Sequence, residues 1–490
     1  MENIVSAFDL FFTLSNFVAL FIGVVVGTVI GAIPGMTATM GVALALPFTF
    51  YMPPVTSILL LLGIYKGGLY GGSIPAILIS APGTPAASAT LLDGFPLAQK
   101  GHAKKALTMA LYASCIADFV SNLSLILFAG LIAGFALRFG PPEFFALILF
   151  SLTIIAGVSG DSLLRGLVGA FMGLLLGTVG LDLVYGTERF IFNNYELMGG
   201  LSFIPVLIGL FALPQILNHF WDSSTKNVEA KQASGEGVSL AELKGSMKSI
   251  LRGSLIGVGL GAIPGIGGAP AAFLSYSEAK RTSSDPDSFG KGNLEGVAAA
   301  EAGNNGVAGA TLIPLLALGI PGDVITAVIL GAFMIHDLKP GPILFQQNLD
   351  IIYALFMGIM LSSIYLFLVG SVAIRGLAKI SNIPNSLLYP SVFVLCAFGA
   401  YAINNSSFDI LVMFVMGVLG FLLLRSKVPA APFLIAFILG PLLEDSFRQS
   451  LQMSAGDFSI FVRNWICWLF LGLAVVSLGL IVQKQLVKVR

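Results

Sequence analysis

The pentapeptide Gly31-Ala32-Ile33-Pro34-Gly35 recurs as Gly261-Ala262-Ile263-Pro264-Gly265, each copy inside apolar, glycine-rich sequence. Downstream landmarks recur with it: Gly67, Pro75, Pro82 and Gly83 return as Gly306, Pro314, Pro321 and Gly322. The offset is 230 from Pro34 to Pro264, and 239 from Pro75 to Pro314 and from Pro82 to Pro321. The nine added residues (239 − 230) fit the polar stretch 278–290. Proline removes a backbone donor and glycine admits unusual dihedrals, so each copy ends a helix. In lipid, such a break survives only where protein or a watery cavity satisfies the freed backbone groups. A duplicated break in apolar sequence points to a ligand site at a repeat interface. Its plain alternative is a tight helix crossing made by small residues.

Composition makes the surroundings of these breaks a membrane. Of 490 residues, 56% are hydrophobic and 10% charged, against about 25% charged in soluble domains. The expected fold is an all-α polytopic membrane protein with broken or re-entrant helices. Continuous apolar stretches fall at 14–33, 106–136, 143–158, 163–182, 198–218, 351–373, 387–403, 408–424, 429–443 and 461–483. The stretches 36–64, 68–96, 253–278 and 306–335 are apolar but interrupted by Gly and Pro. Together they predict about twelve crossings, with 36–50 and 253–278 either full spans or re-entrant hairpins. A net charge of zero gives no footprint for a nucleic-acid partner. Cys115, Cys396 and Cys467 are scattered in apolar sequence, with neither metal nor disulfide spacing. His102, His219 and His336 lie near span ends and do not read as a metal site.

Loop charge sorts the halves. Residues 1–65 carry no Lys or Arg, so the basic region of a cleaved signal is missing and the N-terminus is expected outside. Lys100, Lys104 and Lys105 follow the first copy, whereas the partner loop near 335–350 carries Lys339 against Asp337 and Asp350. Before the second copy stand Lys226, Lys231, Lys244, Lys248 and Arg252. Opposite bias at equivalent loops is what two inverted-topology repeats require. The expected division is a first repeat at 1–221, a cytoplasmic linker at 222–249 and a second repeat at 250–490. Lys484, Lys488 and Arg490 suit a cytoplasmic C-terminus. Ser239–Glu242 fits a capping box, so a helix is predicted to start there.

The broken ends supply two kinds of group. Freed carbonyls around Pro34 and Pro264 suit a cation, and the next helix N-termini suit a carboxylate. Gly35, Thr37 and Thr39 follow the first break, and Gly265, Gly267 and Gly268 the second; small residues and hydroxyls let a ligand approach the backbone. A second break in each half, Ser80-Ala81-Pro82-Gly83-Thr84 and Gly319-Ile320-Pro321-Gly322-Asp323, adds Ser80 and Thr84 as pocket groups. Asp323 reads as a cation ligand, as the cap of the next helix, or as both. Asn304 and Asn305 offer amide oxygens to a cation or hydrogen bonds to a carboxylate. Lys66, which aligns with Asn305 at the 239 offset, reads either as an intramembrane cation for an anionic ligand or as a snorkelling lysine. Glu301 takes a proton or cation, or sits at the membrane edge. Asp118, Ser121 and Asn122 form a polar stripe better suited to interhelical hydrogen bonds than to a ligand. No His-Glu-x-x-His motif or phosphate-binding loop occurs, and Pro321-Gly322-Asp323 lacks the glycine and the partner of an aspartyl protease site; an enzyme is not expected. A channel stays open as an alternative, because channels also contain duplicated broken helices.

These segments carry a resemblance. Gly27–Gly101, with Gly-Ala-Ile-Pro-Gly-Met-Thr, Tyr-Lys-Gly-Gly-Leu-Tyr-Gly-Gly-Ser and Ala-Pro-Gly-Thr-Pro, resembles the large membrane subunit of tripartite tricarboxylate transporters. So do Gly-Ala-Ile-Pro-Gly-Ile-Gly-Gly, Glu-Ala-Gly-Asn-Asn-Gly and Gly-Ile-Pro-Gly-Asp in the second half. The resemblance covers essentially the whole chain and leaves the substrate open. It implies a multi-pass protein of the bacterial inner membrane that imports citrate-like tricarboxylates or dicarboxylates by symport. It also implies a periplasmic solute-binding protein and a small membrane subunit of about four spans. No cofactor is implied, only a Na⁺ or H⁺ gradient; the chain as a homo-oligomer and a stand-alone carrier both stay open. By analogy, 14–105 and 250–345 form a moving transport part, and 106–218 and 351–483 a scaffold.

Overall fold

The computed structural model describes residues 2–158, 162–182, 185–221, 235–376 and 385–489. The first copy of the repeat comprises α1 (Glu2–Phe11), α2 (Leu14–Ala32), α3 (Ala38–Thr49), α4 (Pro54–Gly71), α5 (Ser73–Ile79), α6 (Ala87–Gln99) and α7 (Ala103–Ala136). There follow α8 (Pro141–Val158), α9 (Leu163–Gly177), the short strands β1 (Gly180–Leu181) and β2 (Glu188–Arg189), α10 (Phe203–Phe211) and α11 (Leu213–Trp221). The strands pair antiparallel, with Gly180 opposite Arg189. The second copy comprises α12 (Leu240–Gly261), α13 (Gly268–Thr282), α14 (Leu294–Asn305), α15 (Val307–Ala310) and α16 (Leu312–Leu318). It continues through α17 (Val324–Ile335), α18 (Pro342–Gln347) and α19 (Leu349–Gly376). The chain closes with α20 (Asn385–Asn404), α21 (Ser407–Arg425), α22 (Ala430–Met453) and α23 (Trp465–Val489).

The protein is an all-α polytopic membrane protein. Among the described residues, nine helices are long and apolar enough to cross a membrane, and four shorter apolar segments stand beside them: Ala38–Thr49, Leu163–Gly177, Val324–Ile335 and Leu388–Ala402. The 12 residues of α3 reach about 18 Å at 1.5 Å per residue, short of a hydrocarbon core of about 30 Å. Residues 222–234 of the expected linker lie outside the described residues, whereas its end is helical. Ser239 caps α12 with the reciprocal Glu242 contact of a capping box.

The duplication is visible in packing. α2 crosses α4 along Gly23, Gly27 and Gly31; a Cβ on these would lie 2.3, 2.2 and 2.7 Å from the carbonyl oxygens of Leu60, Ile64 and Gly68. At the 230 offset, α12 presents Gly253, Gly257 and Gly261 to α14 and α15, where Cβ atoms would lie 3.0, 2.7 and 3.0 Å from Ala299 O, Gly303 O and Val307 Cα. Leu60, Ile64 and Gly68 are the 239-offset counterparts of Ala299, Gly303 and Val307. Glycine at every fourth position lets two backbones touch, which is how helices associate where lipid removes the hydrophobic drive. The two copies also clasp reciprocally: α3 packs on α17, and their counterparts α13 and α6 pack on each other.

Two helical groups follow from the contacts. α7 packs on α4, α5, α6, α12, α14, α15, α16, α18 and α19, so it belongs to the duplicated centre. Outside that centre, α8, α9, α22 and α23 pack together, as do α10, α11, α20 and α21. α3 meets the outer helices α10 and α20, and α17 meets α10 and α22.

Candidate functional site

Each break is built by local backbone chemistry. Pro34 and Pro264 withhold a donor, and Gly35 and Gly265 both take φ +85°, a region costly for residues with a Cβ. The second breaks match as well: Ser80 (φ +60°) and Gly319 (φ +74°) end α5 and α16 in left-handed conformation. Within each half the two breaks touch. Gly265 N donates to Gly322 O at 2.7 Å. A Cβ on Gly83 would lie 2.4 Å from Gly31 O. Ser121 of α7 satisfies the interruption between α14 and α16: its hydroxyl donates to Gly306 O at 2.6 Å and accepts from Gly309 N and Ala310 N, both at 2.9 Å.

The structure brings Gly265, Gly267, Gly268, Asn304 and Asp323 together. Gly267 (φ +67°) is the N-cap of α13 and provides no side-chain cap. A Cβ on Gly268 would lie 2.8 Å from Asn304 Oδ1 and 3.6 Å from Ala86 Cβ; one on Gly267 would lie 3.5 Å from Asp323 Cβ. Asn304 is fully buried, yet neither its Nδ2 nor its Oδ1 has a hydrogen-bond partner. An unpaired buried amide costs about 1–3 kcal/mol, so Asn304 beside an uncapped helix N-terminus is a group that calls for a partner. Thr84 lies nearby in the chain, buried, its hydroxyl accepting from Ala87 N at 3.3 Å.

The other expected groups are placed differently. Gly35 neighbours Tyr389 Oη of α20, at 3.4 Å from its Cβ position. Thr37 caps α3 by accepting from Met40 N at 3.2 Å. Thr39 is half-buried in the first turn of α3, and Ser80 is exposed at its turn. Asp323 caps α17: Oδ1 accepts from Thr326 N at 2.7 Å, and Oδ2 accepts from the Tyr65 hydroxyl at 3.0 Å. That geometry provides the cap expected of this residue. Asn305 Nδ2 donates to Ser114 Oγ at 2.8 Å.

Lys66 is fully committed to protein. Its ammonium lies 2.8 Å from Asp118 Oδ1 and donates to Asn122 Oδ1 at 2.6 Å. Ser363 Oγ donates to the other Asp118 oxygen at 2.5 Å. The pair, 0% and 1% exposed, ties α4 to α7 and α19. Lys66 is therefore neither snorkelling nor a free cation facing a ligand. Its partners Asp118 and Asn122 belong to the polar stripe expected to make interhelical hydrogen bonds, and they make them to Lys66.

Glu301 does not sit at the membrane edge. It is fully buried. Oε1 accepts from Ser73 of α5 and Thr90 of α6, and Oε2 accepts from Ser114 of α7 at 2.9 Å. The Ala-Ala-Glu-Ala-Gly run of small residues is the signal that α14 is buried on all sides. Asp93 is a second buried carboxylate. Its Oδ1 accepts from the backbone N–H of Gly290, Gly292 and Asn293, and its Oδ2 from Tyr276, so α6 organises the loop before α14.

Duplicated helix breaks in an all-α membrane protein, with an open polar group at one helix N-terminus, fit a membrane transporter. Residues 17–435 match the Tripartite tricarboxylate transporter TctA family, and the chain belongs to that family. It is 38% identical over 449 residues, 91% of this chain and 89% of the relative, to an uncharacterized 52.8 kDa protein in the TAR-I ttuC' 3' region of Agrobacterium vitis. An uncharacterized protein in the TAR-II ttuC' 3' region of the same organism is 38% identical over 224 residues, 46% of this chain and 91% of that protein. No solved structure matches the chain. Family and fold together make this the membrane component of a tripartite tricarboxylate transporter.

Proposed function

We propose that the chain is the large permease subunit of a binding-protein-dependent importer of carboxylates, driven by a Na⁺ or H⁺ gradient. The carrying observation is the buried, unpaired Asn304 amide at the uncapped N-terminus of α13. A substrate carboxylate docks there on free N–H groups and the positive end of the helix dipole, with Asn304 Nδ2 as a further donor. Gly267 and Gly268 keep the approach open, because a side chain on Gly268 would collide with Asn304, and Gly265 lets the break pack against Ile155 of α8. The opposing groups of the first copy, Gly35, Thr37, Thr39, Ser80 and Thr84, complete the path as the two copies move. The freed carbonyls at Pro34 and Pro264 remain candidates for cation contact.

The partners in this reading are a periplasmic solute-binding protein and a small membrane subunit, in a bacterial inner membrane with the C-terminus cytoplasmic. Opposite loop charges support the inverted relation of the copies. The contact pattern supports a moving centre of α1–α7 and α12–α19 against outer helices α8–α11 and α20–α23. This draws the boundary after α7 and α19 rather than before them.

The test is uptake of labelled tricarboxylates and dicarboxylates by proteoliposomes holding this chain and its small partner, with and without binding protein. Saturable uptake that requires both the binding protein and an imposed cation gradient is expected. Asn304→Ala raises KM about tenfold or more, the equivalent of one lost buried hydrogen bond to a charged group. Uptake independent of the binding protein, or non-saturable flux, would refute the reading.

A further inference from the structure

Glu301 presents a problem of charge. A carboxylate sealed inside a membrane protein is costly unless paired with a cation or neutralised. Every group hydrogen-bonded to its side chain is a neutral donor: Ser73, Thr90, Ser114 and, at 3.3 Å, Asn305 Nδ2. Among the described residues no Lys, Arg or His reaches it. Lys66 of α4, fully buried in the duplicated centre, is already neutralised by Asp118.

The surrounding elements supply no further charge. α5 carries no titratable residue, and neither does α15. On α6, Asp93 is engaged by the three backbone N–H groups and Tyr276. On α7, Asp118 belongs to the Lys66 pair, and Cys115 is a free thiol. α4 adds the buried hydroxyls of Tyr65 and Tyr70. The charged residues of α12 all precede Gly253, from Glu242 to Arg252, and those of α13 lie in its last turns, from Glu278 to Arg281. On α14 itself, Glu295 is bonded to Ser249 and Ser283.

We propose that Glu301 is the proton-coupling site of this transporter, carrying H⁺ in the occluded state on a carboxyl group lined by Ser73, Thr90, Ser114 and Asn305. This rests on the transporter reading above and narrows its coupling ion to the proton. When protonated, Oε2–H donates to Ser114 Oγ across the same 2.9 Å. The O–H bond forms with a proton from the outer solution as the site opens there. It breaks towards the cytoplasm when the site opens inward. The carboxylate left behind is held by the same four donors. No other bond changes in this step, and each proton carries one positive charge inward alongside the substrate.

The position explains how such a site acts on substrate. Glu301, Asn304 and Asn305 occupy one turn of α14. Asn305 bonds the Glu301 side chain on one face, while Asn304 faces the N-terminus of α13 on the other. Filling the carboxyl with a proton and filling the Asn304 site with substrate therefore act on one helical turn. The first three donors come from α5, α6 and α7 of the first copy and the carboxyl from the second, so the proton is bound between the copies that move.

Two measurements test this on the intact membrane complex. Infrared difference spectra across neutral pH should show a protonated-carboxyl C=O band in the wild type that is absent from Glu301→Gln; this readout needs no substrate or transport. In proteoliposomes, accumulation driven by a pH gradient should fall at least tenfold in Glu301→Gln, about 1.4 kcal/mol, and the remaining uptake should no longer vary with external pH. Ser114→Ala, which keeps the carboxyl, should shift the pH midpoint of uptake without abolishing it. An unchanged band in Glu301→Gln, or proton-driven accumulation retained by that variant, would overturn the proposal. So would wild-type accumulation that needs Na⁺ and ignores pH. Absence of any carboxylate uptake alongside a Glu301-dependent band would instead overturn the carboxylate reading and leave the proton site standing.

Discussion

The two copies of the repeat share their backbone and differ in what their side chains leave open. At equivalent N-caps, Thr37 accepts a hydrogen bond from Met40 N, whereas Gly267 offers α13 no cap. At the 239 offset, Tyr65 and Lys66 face Asn304 and Asn305. The first pair is consumed: Tyr65 bonds Asp323, and Lys66 is locked to Asp118 and Asn122. In the second pair, Asn304 is unpaired and Asn305 serves Glu301. Leu62, the counterpart of Glu301, is an ordinary buried leucine. Duplication thus supplies two equivalent breaks, and divergence makes one a brace and keeps the other open. A polar group inside a membrane either rigidifies the core when satisfied or binds something when not.

The largest effect should come from unbalancing the brace. Lys66→Ala leaves Asp118 buried without its counter-ion and should cost about 3–5 kcal/mol, read as loss of folded protein on size exclusion in detergent. Asn305→Ala, at the equivalent position, should leave folded yield closer to wild type. Equal losses would mean that the copies are not divided between brace and site.

Next are the crossings. A Cβ on Gly27 meets Ile64 O at 2.2 Å, and one on Gly257 meets Gly303 O at 2.7 Å. Gly27→Ala should therefore lower thermal stability more than Gly257→Ala, by about 3 against about 1 kcal/mol, both within the overpacking range. The reverse order would show that α12 and α14 form the stiffer crossing.

Removing the first-copy cap is a smaller change. Thr37→Ala should cost about 1 kcal/mol of stability and change the KM for substrate much less than Asn304→Ala does. A KM effect at Thr37 as large as that at Asn304 would mean that both N-termini bind substrate.

The smallest effect concerns the contact between copies at Lys105 and Glu242, 2.6 Å apart. The Lys105 ammonium, then the Ser239 backbone N–H, hold the Glu242 carboxyl down to about 2 from an ordinary 4.5. Its stabilisation is therefore present above about pH 4.5 and disappears as pH falls through about 2. With both side chains partly exposed it amounts to less than about 1 kcal/mol. Thermal midpoints of wild type and Lys105→Ala should differ slightly at neutral pH and converge in strong acid.

Much of the fold was legible because it is local. Pro34, Gly35 and their copies dictate a break through a missing donor and a positive φ, and Ser239 and Glu242 cap a helix through residues three apart. The packing of α2 on α4 is also present in the sequence as glycine at every fourth residue. The candidate site was legible only in part. Gly265, Gly267, Gly268, Asn304 and Asp323 do meet, whereas Lys66 and Thr37 are engaged elsewhere.

The chain by itself determined that it belongs in a membrane, that it is duplicated, and where its helices break. Those properties depend on transfer energies and on backbone chemistry within a few residues. Only the tertiary structure decided which polar groups are satisfied. Lys66 finds Asp118, Asn122 and Ile359 O, and Glu301 finds Ser73, Thr90 and Ser114, all from distant parts of the chain. Inside a membrane the meaning of a charge is set by its partner, and no local spacing encodes a partner brought there by packing.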